Sequence, residues 1–85
     1  MFQFQYTIKD ELGIHARPAG ILVKEVKKYA SKVMIEKEGK TVDASRLMAV
    51  MSLGVKCGNE VTVTVEGEDE GTAGPQIERF FIENL

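Results

Sequence analysis

Gly13-Ile14-His15-Ala16-Arg17-Pro18-Ala19 is where the chain changes its period. Before it, Phe2, Phe4, Tyr6 and Ile8 fall on alternate positions, the mark of a strand with one apolar face. After it, Ala19, Leu22, Val23, Val26 and Ala30 share one helical stripe, which predicts a helix from Ala16 to about Ala30. Pro18 suits the first turn of that helix, where an amide has no partner to lose. It also biases Arg17 away from helical dihedrals, so the first helical residue is not fixed by sequence. His15, the only histidine, therefore stands just before a helix whose first amides point outward unpaired.

Outward from that junction the pattern continues to alternate in type. Val33 and Ile35 alternate with Met34 and Glu36 as a second strand, and Glu38-Gly39-Lys40 signals a hairpin into a short third strand, Thr41-Val42-Asp43. Ser45 is placed to cap a short helix over Arg46–Leu53. Only Arg46 and Ser52 in that run are polar. A domain this small can hardly engulf such a helix, so Leu47, Met48 or Met51 is expected to reach solvent, with Val50 and Leu53 in the core. Gly54 and Gly58-Asn59 bracket a turn before Val61, Val63 and Val65, which alternate with Thr62 and Thr64 as the clearest strand. The acidic run Glu66–Glu70 reads as a solvated helix start. Ala73, Ile77, Phe80 and Phe81 form the last helical stripe, which Gly74-Pro75 should delay or distort. The order β-α-β-β-α-β-α implies an α+β open-faced sandwich, with residues 1–85 as one domain.

Composition narrows the chemistry. A net charge of −2 over 85 residues gives no case for nucleic-acid binding. No apolar run approaches membrane-spanning length, and the alternating N-terminus lacks a basic leader. One cysteine, Cys57, forms no internal disulfide, so the expected compartment is the cytoplasm. One histidine and one cysteine make no zinc site. A nucleotide-phosphate loop is absent, and no cofactor is implied. What the junction offers is an anion site: a helix N-terminus with free donors, the Arg17 charge, and an imidazole beside them. A neutral imidazole is a nucleophile. The residues suit a histidine that is transiently phosphorylated.

Gly-Ile-His-Ala-Arg-Pro-Ala resembles the active-site motif of HPr, the histidine-containing phosphocarrier family of the bacterial sugar phosphotransferase system. Val50-Met51-Ser52-Leu53-Gly54 resembles the family's second motif, at the usual distance. The resemblance implies four antiparallel strands with helices on one side. It implies that phosphorylated enzyme I passes a phosphoryl group to His15, which passes it to the IIA domain of a sugar permease. Arg17 would balance the charge, and the amides around Ala16 and Arg17 would hold phosphate oxygens. Partner proteins would dock on an apolar face with a basic rim: Gly20, Ile21, Lys24 and Lys27, with Leu47, Met48 and Met51. The chain is expected to be monomeric. Related readings are a carrier in a non-sugar, for example nitrogen-linked, phosphotransfer chain, and a regulatory module that has lost carrier duty; such modules lack the active histidine. Many relatives also carry a regulatory serine at the cap of the short helix, where this chain has Arg46.

Overall fold

Val61-Thr62-Val63-Thr64-Val65 lies at the centre of the sheet, buried on one face by its three valines. The computed structural model describes residues Met1–Leu85. Its elements are β1 (Phe2–Thr7), α1 (Ala16–Val26), β2 (Lys32–Lys37), β3 (Lys40–Asp43), α2 (Leu47–Ser52), β4 (Glu60–Glu66) and α3 (Glu70–Asn84). The strands form one antiparallel sheet in the order β1-β4-β2-β3. In β4 the register sets Val63 opposite Phe4 on one side and Ile35 on the other. That alignment puts every inward-facing residue of the three strands into one layer, as period-2 alternation requires.

The helices close that layer from one side. Pro18, Ala19, Leu22, Val23 and Val26 of α1 are buried, as are Ala73, Ile77, Phe80 and Phe81 of α3. Phe81 is the pivot: its ring meets Phe4 at 5.5 Å and Tyr6 at 5.9 Å between centroids, both edge-on. Such geometry adds to the burial term because a ring's positive edge faces a negative face. Glu38 (φ +50°) and Gly39 (φ +84°) make the two-residue turn between β2 and β3 that the twist of a hairpin favours.

Three boundaries differ from the sequence reading. The first helix ends at Val26, not near Ala30, and Ala30 is exposed. The reason lies far away in sequence. The Asp69 carboxylate accepts the amides of Ala30 (2.8 Å) and Ser31 (2.9 Å) and the Ser31 hydroxyl, which pulls the chain out of the helix and into β2. Ser45 does not cap α2. Its amide and hydroxyl both go to Asp43 Oδ1 (2.8 and 2.6 Å), and the capping position belongs to Arg46. The last helix starts early, at Glu70, and runs through Pro75. Glu70 holds that start by accepting the Gly67 amide (3.1 Å) and pairing with the Met1 ammonium. Gly74 is needed there for space: a Cβ would lie 2.3 Å from the Phe2 ring. Phe2 of β1 packs directly against Gly74, whereas Pro75 is exposed.

Candidate functional site

His15 is the residue immediately before α1, in extended backbone (φ −93°, ψ −173°). Its carbonyl accepts the first helical bond, from Ala19 at 2.9 Å, while its imidazole caps no amide. Pro18 has no N–H. The free donors at this end are therefore the amides of Ala16 and Arg17, next to His15 in the chain. His15 is half-buried, and Ala16 and Arg17 are exposed. Arg17 pairs with no carboxylate; the ion pairs in the fold are Met1–Glu70 and Lys28–Glu25. An unpaired guanidinium and two unpaired amides at a helix N-terminus form a set of donors matched to a phosphate.

The loop that carries His15 is rigidly anchored. Gly13 has φ +69°, a left-handed conformation, and its α-carbon lies so close to the segment at Val55 that a Cβ would sit 2.2 Å from the Val55 carbonyl oxygen. The next amide, Ile14, donates to that same oxygen at 3.0 Å, and the Ile14 side chain is buried. Upstream, the Leu12 amide donates to Asp10 Oδ1 (2.9 Å), and the amides of Lys9 and Asp10 both donate to the main-chain oxygen of Leu85. His15 is thus held between buried Ile14 and buried Pro18. In the sequence Gly13 is the first residue of the stretch where the period changes, with no sign of this contact. Its other supports, Val55 and Leu85, lie some 40 to 70 residues away and leave no local signal.

A groove of about 340 Å³ opens beside the imidazole, lined by His15, Arg17, Ile21, Leu12, Phe80 and Asn84 among others. A slightly larger concavity of about 380 Å³ shares no residue with it and has an entirely polar lining around Glu36, Glu38 and Glu60. The smaller one holds the only histidine and an arginine without an ion-pair partner.

The remaining residues of interest fall on two neighbouring helices. Arg17, Gly20, Ile21, Lys24 and Lys27 follow the outward stripe of α1 into its C-cap, and Ile21 is 47% exposed. Gly20 is not forced by packing, since nothing lies within 4 Å of where its Cβ would be. On α2, Leu47 (40%), Met48 (76%) and Met51 (37%) reach solvent, while Val50 and Leu53 are buried as expected. Lys24, Lys27 and Arg46 are exposed and unpaired, so exposed apolar side chains and free cations occur on both helices.

The family model for the PTS HPr component phosphorylation site matches residues 2–83. This chain belongs to the HPr family. The HPr-like protein Crh of Bacillus subtilis (strain 168) is 38% identical over 85 residues, spanning all of both chains. The solved histidine-containing phosphocarrier protein of a Mycoplasma superposes with a TM-score of 0.90 at 34% identity, covering 95% of this chain and 92% of that one. A crystal structure of Crh from Bacillus subtilis, an intertwined dimer formed by swapping, superposes with a TM-score of 0.78 at 38% identity over 100% of this chain and 98% of that one. Four antiparallel strands in the order β1-β4-β2-β3 with three helices are the HPr fold. No helix is long and apolar enough to cross a membrane.

Proposed function

We propose that this HPr-family chain is a working phosphocarrier, which takes a phosphoryl group from phosphorylated enzyme I onto His15 and gives it to the IIA domain of sugar permeases. The observation that carries the reading is the grouping of an uncommitted imidazole, two free amides and an unpaired guanidinium at one helix entrance. In the step itself, the imidazole nitrogen attacks phosphorus, a new N–P bond forms, and the bond from phosphorus to the donor protein breaks, its electron pair staying with the donor atom. The Ala16 and Arg17 amides and the Arg17 side chain receive the phosphate oxygens, whose charge stays near constant through such a transfer. No metal or nucleotide is called on. The site is shallow and open, which suits a group that must leave again.

Docking is assigned to Gly20, Ile21, Lys24 and Lys27 of the first helix and Leu47, Met48 and Met51 of α2. Adaptable methionines fit a surface that meets more than one partner. Free lysines favour acidic partner surfaces. The working state in this reading is a monomer in the cytoplasm, with the 85 residues as one folding unit. The swapped dimer of Crh makes the oligomeric state worth measuring by light scattering.

Similarity to Crh supports a second reading, a regulatory partner-binding role without relay. Retention of His15 together with Arg17 favours the carrier. A relay experiment separates the two. The chain is loaded from enzyme I and phosphoenolpyruvate, freed of enzyme I, and mixed with a purified IIA domain. Carrier function predicts that the phosphate moves to the IIA domain. Loading without onward transfer to any IIA domain of the source organism supports the regulatory reading.

A further inference from the structure

The helix α2 has only six residues, far below the length at which a helix holds itself together. Arg46 at its start gives no side-chain capping bond, and its last turn contains no basic residue. Its C-terminal carbonyls are met instead by the β2–β3 hairpin. Lys37 Nζ donates to Gly54 O at 3.0 Å and to Leu53 O at 3.4 Å, and Lys40 Nζ donates to Ser52 O at 3.4 Å. These lysines face each other directly across the two strands. Like charges so placed repel. Neither forms an ion pair with a carboxylate. The compensation is the run of carbonyls at and just beyond the negative end of α2, Ser52 to Gly54, which accept from both.

We propose that Lys37 and Lys40 act as positioning residues: a two-lysine clasp on the Ser52, Leu53 and Gly54 carbonyls that fixes how α2 presents Leu47, Met48 and Met51 to a docking protein. The inference rests on the docking role given to α2 above. Neither ammonium group is bonded to the imidazole or the helix entrance around it. The clasp governs partner affinity and leaves the phosphoryl chemistry alone. It also explains why a hairpin with no part in the site carries two opposed lysines at its mouth.

Full-length Lys37→Gln/Lys40→Gln, which removes both charges and keeps most of each stem, is compared with Lys37→Arg/Lys40→Arg, which keeps the charge. Hydrogen exchange is followed at the Leu53 and Gly54 amides, which bond to the Val50 and Met51 carbonyls at 3.2 Å. Bonds from exposed cations predict exchange faster by roughly threefold to tenfold at these two amides in the Gln pair. The Arg pair stays near wild type, and the β4 amides do not change. With enzyme I and phosphoenolpyruvate, the KM for the Gln pair as phosphoryl acceptor rises severalfold, kcat stays within about twofold, and the Arg pair restores KM. Unchanged exchange at Leu53 and Gly54 overturns the proposal. So does faster exchange throughout β4, or a fall in kcat at constant KM. If wild-type protein takes no phosphate from enzyme I, the carrier reading fails, and the exchange result decides the clasp by itself.

Discussion

Replacing Gly13 and Gly20 separately by alanine adds the same methyl group at two positions a few residues apart, and the structure predicts opposite signs. At Gly13 the backbone is left-handed (φ +69°), which costs an L-residue about 1–2 kcal/mol. The new Cβ would also stand 2.2 Å from Val55 O and 2.7 Å from Lys56 Cα. The two segments must separate, and the buried Ile14–Val55 bond of 3.0 Å is lost or stretched. A buried bond left unmade adds roughly 1–3 kcal/mol, so Gly13→Ala should lose about 2–5 kcal/mol in all. Gly20 sits mid-helix with open space where its Cβ would be. There the only change is helix propensity, and Gly20→Ala should gain about 0.8–1 kcal/mol. In a domain of this size each kcal/mol moves Tm by about 4–8 °C, so the two variants should melt well apart on either side of wild type. Urea and thermal melts followed by circular dichroism measure both. Gly13→Ala within about 0.5 kcal/mol of wild type would refute the claim that the Val55 contact anchors the histidine loop.

Other outcomes follow from the same packing and hydrogen bonds. Phe81→Ala empties the place where Phe4, Tyr6 and Phe80 converge; a loss of about 3–5 kcal/mol is expected in urea melts, a large part of the stability of so small a domain. Pro75→Ala supplies the helical amide that proline lacks and should raise stability by about 1 kcal/mol or more, since Pro75 is exposed and inside α3. The Ser31 hydroxyl and the Ala30 amide hold the Asp69 carboxyl below its ordinary pKa. A depressed folded value means stability that is present above the unfolded carboxylate range and lost as pH falls through the folded value. Acid unfolding of wild type should therefore be steeper than that of Asp69→Ala, and parallel acid limbs would contradict the role given to that carboxylate. Charge reversal at Lys24 or Lys27 should slow phosphoryl transfer from enzyme I at low salt, with the difference shrinking as salt rises and stability changing by no more than about 0.5 kcal/mol. Equal transfer rates at low salt would remove the basic rim from the docking surface.

The parts of this fold that were legible in sequence are those governed by period. Alternation at Phe2–Ile8 and Val61–Val65 and the helical stripes around Leu22 and Ile77 gave the layers and their buried faces directly. The exposure of Met48 and Met51 was legible too, because a short helix apolar nearly all round has too little protein to bury it. Boundaries were less legible, because long-range bonds set them. Asp69 ends α1 from 39 residues beyond Ala30. Asp43 takes the Ser45 hydroxyl that local propensity assigned to a cap. Phe2 explains Gly74, although nothing near Gly74 in the chain shows it. At the candidate site His15 stands just before α1 and Pro18 in its first turn, as their order implied, whereas Arg17 is helical although it precedes a proline. The anchoring of their loop by Val55 and Leu85 was invisible, being made through main-chain oxygens, which any residue could supply.

Carrier function requires that the His15 ring take a phosphoryl group at the α1 entrance. Incubation of the chain with enzyme I and phosphoenolpyruvate, followed by intact mass, tests it most directly. The expected result is a gain of one phosphate that is lost in acid and does not form in His15→Ala. An unchanged mass, or a phosphate that persists in His15→Ala, would contradict it.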